Sequence, residues 1–469
     1  MAKKEIPYPM YDLTGSQSTM YTMLRYSIHK NVNQIPTSIV CSFPLDFDLL
    51  TKALNEEFKR NDCLRIRLYK SGETVKQYFL PEYTKNKVDI LTFTTKEEQT
   101  ATLDKMSQQS LRVFRGEMFR IAFYNTYDGR KGIFFNTTHL INDAAGVAFF
   151  YLDLLQVYKA MAEGSEMPKP PYSYEEYIQK DLKKLADKEK MAKAAEFYKN
   201  FFLKDGEPFY AGIHGHDMLD KAREKDPTVR VPAAYDPFND KSRLIEREIN
   251  PEDSKKILDF CVAHEVSPET VLEAGYRAFA SKRNYRTPDT LSLQMCSRRT
   301  TYKEKYMGGC MAQPLHVRCI IPQEYTFQQS LDTLNNVRNT LYKYLYFPYL
   351  YALDIEMKLF NWKVSQGPNF MMFSWLPMLA AGGEDMKNMG VEFQGLNLGR
   401  YVMPLYTFCY PNINNGALHF QYLYRINRLT EDDIDLMHEN MTKAVLAGIE
   451  NTDITLKEIM DDVMTNVPE

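Results

Sequence analysis

The sequence predicts an α/β sandwich (α+β layers) built twice, in two halves of similar size. Three observations carry that expectation. Short β-prone runs alternate with segments of helical period from end to end. Residues 206–240, a stretch of scattered Gly, Pro and charge, interrupt the alternation near the middle. The same classes of element then resume, with no short-period repeat. The 469 residues leave room for about two to three domains. The expected organisation is an N-terminal half over 1–170, a helical and loop connection over 171–240, and a C-terminal half over 241–469.

In the first half, Ser16 or Ser18 caps a helix carrying Met20, Met23, Leu24 and Ile28 on one face. Residues 34–44 read as a strand, with Ile39, Val40 and Phe43 β-prone. Asp46 caps an amphipathic helix whose apolar face is Phe47, Leu50, Leu54 and Phe58. Residues 64–69, LRIRLY, alternate with period two, as a half-buried strand does. Residues 76–80 are the hairpin partner across Ser71-Gly72. Residues 95–113 form a polar helix. Residues 118–124 form a strand that pairs with the one before His139 across the Asp128-Gly129 turn.

A Pro-rich break at 168–171 precedes a long charged helix or helix pair over 174–202, with Leu182, Leu185, Met191, Ala195 and Tyr198 as its seam. His214 and His216 lie in the connection without neighbours to complete a metal site, and are expected to face solvent. In the second half, strands are expected at 244–249, 291–296, 315–321, 370–376, 401–410 and 417–424, the last after the Asn414-Asn415-Gly416 turn. Asn250-Pro251 and Ser267-Pro268 open helices by cap-plus-proline chemistry. Val271, Leu272, Ala274 and Phe279 form the seam of the second. Another helix covers 327–346. Thr430 and Asp433 make a capping box for the last long helix, which runs to about Gly448.

Composition narrows the function. The net charge is −3 and 44% of residues are hydrophobic, a soluble globular balance. There is no long basic run, zinc-finger spacing or RNA-binding signature, so no nucleic-acid partner is expected. The N-terminus, MAKKEIPYPMYDL, lacks the apolar core of a secretory signal. No segment approaches the roughly 20 apolar residues of a transmembrane helix; the nearest, 370–381, is interrupted by Ser374 and Pro377. A cytoplasmic protein is expected. Seven cysteines stand singly at 41, 63, 261, 296, 310, 319 and 409, with no C-x-x-C, and read as buried small hydrophobes rather than disulfides or metal ligands. The 32 tyrosines and 27 phenylalanines imply large aromatic cores or a lined channel.

Residues 131–146, KGIFFNTTHLINDAAG, carry the chemistry. A buried strand runs through Thr138, His139 sits at its end, 140–142 turn, and from Asp143 the period becomes helical through Val147, Phe150, Leu154, Tyr158 and Met161. Imidazole titrates near neutral pH, so a histidine at a strand end facing a cleft is placed to act as a general base. An Asp at a helix start has the dipole in its favour and stays ionised. The same spacing also suits two ordinary structural residues, and these positions alone leave both readings open.

Five stretches, in order, resemble the superfamily of chloramphenicol acetyltransferase-like acyltransferases. The nearest branches are the condensation domains of nonribosomal peptide synthetases and the stand-alone alcohol and polyketide-associated acyltransferases. The family motif His-His-x-x-x-Asp-Gly places its catalytic second His on His139 and its Asp on Asp143. KRNDCLRIRL resembles the Arg-His-Glu-x-Leu-Arg-Thr-x-Phe segment, with Arg60, Asp62 and Arg65 in the charged places. GEMFRIAFY at 116–124, SPETVLEAGYRAF at 267–279 and SRRTTYKEKYMGGCMAQPLHVR at 297–318 are similar to three further family segments. This chain departs in having Thr138 for the first His and Ala144 for the Gly after Asp, with Gly146 the nearest glycine. The Asp-Phe-Gly-Trp-Gly motif of the plant branch is absent, and no carrier-protein, adenylation or thioesterase domain is recognised.

The resemblance implies two acyltransferase-like halves forming a V with a central channel. An acyl thioester, acyl-CoA or acyl-phosphopantetheine, enters as co-substrate from one face and an alcohol or amine from the other. His139 is the implied base, with no bound cofactor and no metal. Asp143 is structural, and its expected partner is Arg65. Ser374, in FMMFSWLP, is either an oxyanion donor or bonded within its strand, and Trp375 lines the channel. The aromatic run 342–351 is either a tunnel lining or core. Two other readings accompany this one. One is an amide-forming condensation enzyme of nonribosomal peptide or lipopeptide synthesis, served only by acyl or peptidyl carrier proteins. The other is a catalytically silent docking protein, favoured by Thr138 and Ala144. The retained His139 and Asp143 favour a working enzyme of secondary metabolism.

Overall fold

In the computed structural model the chain divides into two compact units, each discontinuous in sequence. The structure describes all residues except 1–5, 115, 216, 230, 232–235, 364–365, 367–370, 377–389, 413–414 and 469. One unit comprises Met1–Lys190, Ser297–Gln313 and Ala381–Leu398. The other comprises Met191–Cys296, Pro314–Ala380 and Gly399–Glu469. Both are mixed α/β, as the element pattern predicts, and they carry a five-stranded and a six-stranded sheet.

The first unit is built on the five-stranded sheet, in the order Val391–Gly395, Gln34–Cys41, Lys131–Thr138, Phe119–Asn125, Asp89–Thr92. All neighbours are antiparallel except the last pair. Ile39, Ile133, Phe134 and Phe135 are buried, and each such side chain removed from water contributes about 1.5–3 kcal/mol. Asp46 caps Phe47–Arg60 by accepting from the Asp48 and Leu49 amides. That helix packs on Ala144–Glu163, and Leu50, Leu54 and Phe58 of the one and Val147, Phe150 and Leu154 of the other are all buried. A small sheet in the order Tyr11–Asp12, Thr74–Phe79, Ile66–Ser71 completes the unit's strands.

The second unit's sheet runs Gln313–Ile320, Asp289–Cys296, Met371–Trp375, Leu405–Pro411, Leu418–Arg425, Ser242–Ile249. Met371–Trp375 is parallel to both its neighbours. The helices Pro268–Arg283 and Glu431–Glu450 cross at Gly275. A Cβ there would lie 2.7 Å from the Met441 carbonyl, so the approach requires the absent side chain.

Several local expectations change. The first helix, Gly15–Tyr26, is capped by Thr14 in a capping box with Gln17, not by Ser16 or Ser18; the Ser16 hydroxyl donates to Met311 O at 2.9 Å. Asp62–Arg65 is a tight turn, so the following strand begins at Ile66. The polar helix ends at Gln108. The segment after Ser173 is two helices, Tyr174–Leu185 and Lys188–Leu203. The helix from Phe327 ends at Tyr342, and a separate helix spans Tyr349–Phe360. A short helix, Asp217–Arg223, lies in the expected connection. His214 faces Asp433 at 3.5 Å rather than open solvent. His216, Asn414, Phe370 and Pro377 lie outside the described residues. All seven cysteines are buried thiols. Among the described residues no helix is long and apolar enough to cross a membrane, and no cluster of three His, Cys, Asp or Glu is arranged to hold a metal ion.

Candidate functional site

The motif loop belongs wholly to the first unit. Its strand ends where Thr138 N–H donates to Met118 O at 3.0 Å. The Thr138 hydroxyl donates to Asn33 O at 3.3 Å, and the same oxygen accepts from His139 N–H at 2.9 Å. Thr138 therefore anchors the turn from its buried position. His139 is half-buried. Its Nδ1 is enclosed and meets no hydrogen-bond partner. Burial pulls the imidazole down to about 4, against the opposing pull of Asp143 and the Asn142 main chain. At neutral pH the ring is uncharged and holds a free lone pair, the form a general base requires.

Asp143 does not contact the imidazole by hydrogen bond; it builds the loop. It caps the helix Ala144–Glu163, its Oδ1 accepting from Gly146 N–H at 2.8 Å. Oδ1 also accepts from Arg299 Nη2 at 3.0 Å, and Oδ2 from the Met311 and Ala312 amides at 2.8 and 3.1 Å. Burial alone would raise this carboxyl, but the Arg299 guanidinium and the amide donors outweigh it, and it is held below the usual carboxylate range. Arg299 is itself buried. Nη1 donates to Glu304 O and Met307 O at 2.6 and 2.7 Å, and Nη2 also to Gly309 O at 2.8 Å.

The ion-pair partner of Asp143 is thus Arg299, and the expected pairing with Arg65 is corrected. Arg65 instead donates to Phe58 O and Lys59 O at 2.6 and 2.7 Å, closing the last turn of Phe47–Arg60, and to Leu80 O at 2.9 Å. A guanidinium there satisfies carbonyls that a helix end leaves open. The other charged residues of that segment are also structural. Arg60 grips Asp153 with Nε and Nη2, both at 3.0 Å. Asp62 accepts from Ser173 Oγ and the Tyr174 and Glu175 amides at the head of Tyr174–Leu185.

Gly146 occupies the tightest point. A Cβ on it would lie 2.3 Å from Asn142 Oδ1, 3.1 Å from Gly309 O and 3.3 Å from Arg299 Nη2. Ala144 sits half-buried on the first turn, so the need for glycine falls two residues later than in the resembled motif. Asn142 Oδ1 accepts from Gly309 N–H at 3.1 Å, where the two residues form an isolated parallel bridge between the motif loop and 307–311. Gly309 has φ +105° and a Cβ there would strike the Tyr174 ring at 2.1 Å. Arg299 and Asn142 escaped sequence reasoning. The signal for Arg299 was the Arg298-Arg299 pair, whose first member bonds Asp181 at 2.6 Å.

Ser374 and Trp375 belong to the second unit. Ser374 is buried and its hydroxyl meets Tyr406 OH at 2.8 Å, so its bond lies within the sheet. Trp375 is half-buried against that unit's core. In the aromatic run Phe347 is core and Tyr344 and Tyr346 pack against it half-buried, whereas Tyr342 and Tyr351 are exposed. Tyr344 stacks on Phe197 with ring centres 3.8 Å apart, and Phe347 stacks on Tyr198 at 5.2 Å. Phe347 and Tyr351, with Met191, Ala195 and Ile355, also line an open cavity of about 330 Å³ in this unit.

The family model described as Condensation domain matches residues 9–462. Surfactin synthase subunit 1 of Bacillus subtilis (strain 168) is 20% identical over 481 residues, covering 96% of this chain and 12% of that protein. The chain therefore spans about an eighth of the curated relative's length. Among solved structures, the first condensation domain of the calcium-dependent antibiotic synthetase, in complex with a substrate analogue, superposes with a TM-score of 0.77 at 14% identity, over 96% of this chain and 98% of that one. The condensation domain of the monacolin K polyketide synthase gives 0.78 at 14%, over 96% and 99%. A variant starter condensation domain of rhizomide synthetase, in complex with C8-CoA, gives 0.77 at 12%, over 96% of each.

Proposed function

This chain belongs to the condensation-domain family, and from that premise we propose that it moves an acyl group from a coenzyme A or phosphopantetheine thioester to an alcohol or amine. The observation that carries the reading is His139: an uncharged imidazole with its Nδ1 enclosed, on a turn fixed by Thr138 and Asp143. In this reading Nε2 accepts the acceptor's proton as its oxygen or nitrogen bonds to the thioester carbonyl carbon. The C–S bond then breaks, and the imidazolium returns the proton to the departing thiolate. The cycle needs no covalent enzyme intermediate. Asp143 has its oxygens committed to Arg299 and three amides, so its role is to hold the turn. Thr138 serves the same end in place of the first histidine.

The test is thiol release from acyl-CoAs of increasing length with mixed alcohols and amines, for wild type and His139→Ala. Acceptor-dependent release that disappears in the variant supports the proposal. The likeness to surfactin synthase subunit 1 favours a second reading, an amide-forming enzyme served only by a carrier protein. Wild type that ignores acyl-CoA but consumes an acylated carrier protein, again only with His139 present, selects that reading. Inactivity with both donors leaves a docking protein.

A further inference from the structure

Glu57 is a buried carboxyl that the proposed chemistry does not use. It lies in Phe47–Arg60, 0% exposed, where that helix packs on Ala144–Glu163. Its Oε1 accepts from Asn61 Nδ2 at 3.0 Å, and its Oε2 meets no donor. The charged or titratable groups that face it are Asp153 from the packed helix, and Arg60 and Cys63 from its own segment. Arg60 commits Nε and Nη2 to Asp153. Two ionised carboxylates at such a place repel, which favours a proton on Glu57, the one that Arg60 does not grip. Burial first, then the charge of Asp153, push Glu57 well above the carboxylate range. A proton held on Glu57 would give Oε2 a hydrogen to donate to the Asp153 side chain beside it.

The next link is Asn61. Its Oδ1 accepts the Cys63 thiol at 3.1 Å, and that sulfur also lies 3.9 Å from Asn142 Oδ1. A Cβ on Gly308 would fall 2.5 Å from both Asn61 Oδ1 and Cys63 Sγ. The 307–311 main chain therefore rests directly on these two side chains. From there Gly309 N–H reaches Asn142, and Met311 N–H reaches Asp143. A continuous row of contacts thus runs from Glu57 to the His139 loop, all within one unit.

We infer that the Glu57–Asn61–Cys63 row positions the loop that carries His139, with the Glu57 carboxyl as its anchor. This rests on the reading of His139 as the base. Ionising Glu57 sets two buried charges against each other and loosens the row. A glutamine in its place reproduces both bonds, its amide N–H donating to Asp153 and its oxygen accepting from Asn61, without a proton to lose. A leucine supplies neither.

The test compares wild type, Glu57→Gln and Glu57→Leu by kcat and KM across pH, and by the chemical shift of the His139 ring, identified by its absence in His139→Gln. Wild type is expected to lose kcat reversibly on the alkaline side. Glu57→Gln should keep neutral-pH kcat within about twofold and lack that loss. Glu57→Leu should lose kcat by about tenfold or more at unchanged KM, as misplacement of a base does, with a moved His139 signal. Wild-type kcat with an unmoved ring signal in the leucine variant overturns the inference, as does an unchanged alkaline loss in the glutamine variant. If wild type turns over no thioester, acyl transfer fails by itself. The ring signal then decides positioning alone: moved in Leu and unmoved in Gln supports it, and unmoved in both overturns it.

Discussion

Arg299→Met removes the cation that holds Asp143, and the structure sets the size of the effect. The guanidinium is 2% exposed and makes four hydrogen bonds, to Asp143 and to three main-chain carbonyls of 304–309. Breaking a buried pair from one side leaves an uncompensated charge, a cost of about 3–5 kcal/mol. The abandoned carbonyls add to this, at about 1–3 kcal/mol each where water cannot reach them. Three amide donors still face Asp143, which keeps the total towards the lower figure. At about 2–4 °C per kcal/mol for a unit of this size, the expected fall in Tm is about 6–20 °C. Thermal and urea unfolding measure it, alongside thiol release. The control is Arg65→Met, which removes only carbonyl contacts of a half-buried side chain. In double-mutant cycles with Asp143→Asn, Arg299→Met should couple strongly, while Arg65→Met should add within about 0.5 kcal/mol. A melting curve for Arg299→Met within two or so degrees of wild type, or coupling through Arg65 instead, would refute the assignment.

Further expectations follow from the same geometry. Because His139 is held down to about 4, activity should persist well below pH 6 and fall only as the pH approaches that value; a kcat/KM profile with its acid limb near an ordinary imidazole value would contradict the burial argument. Asp143 is depressed in the fold, so its contribution to stability is full above the unfolded aspartate pKa of about 3.9 and is lost as pH falls through its lower folded value. Asp143→Asn should therefore flatten the acid side of a stability–pH curve measured by urea unfolding. Gly146→Ala should cost about 1–3 kcal/mol through the clash with Asn142 Oδ1, whereas Ala144→Gly should cost no more than about 1 kcal/mol of helix propensity. Comparable losses in those two variants, by calorimetry, would show that the glycine requirement is misplaced.

Local contacts were legible in the sequence and distant ones were not. Asp46, Asn250, Ser267 and Thr430 cap the helices they were expected to cap, because a cap is a contact between residues two or three apart in sequence. The hairpin through Asp128-Gly129 pairs as expected for the same reason. The strand Val391–Gly395 was not legible. It joins Gln34–Cys41, some 350 residues away, and its pattern alone says nothing of that partner. At the opposite edge of that sheet, Asp89–Thr92 is short and exposed along most of its length, so it lacks the apolar alternation by which strands are read.

At the site, His139 and Asp143 were readable because strand, turn and helix follow one another within the motif. Their partners were not. Arg65 and Arg299 are both arginines in segments resembling the family, and residue type cannot choose between two guanidiniums. The choice was made when 297–313 folded back into the first unit and brought Arg299 to 3.0 Å from Asp143, while Arg65 closed a helix end. By itself the sequence determined what is local: the elements, their caps, and a histidine and an aspartate set four residues apart on a strand-turn-helix. Tertiary structure alone decided which cation neutralises the aspartate, which glycine the loop requires, and that burial leaves the His139 imidazole uncharged, because charge pairing, close approach and desolvation depend on residues far away in the chain.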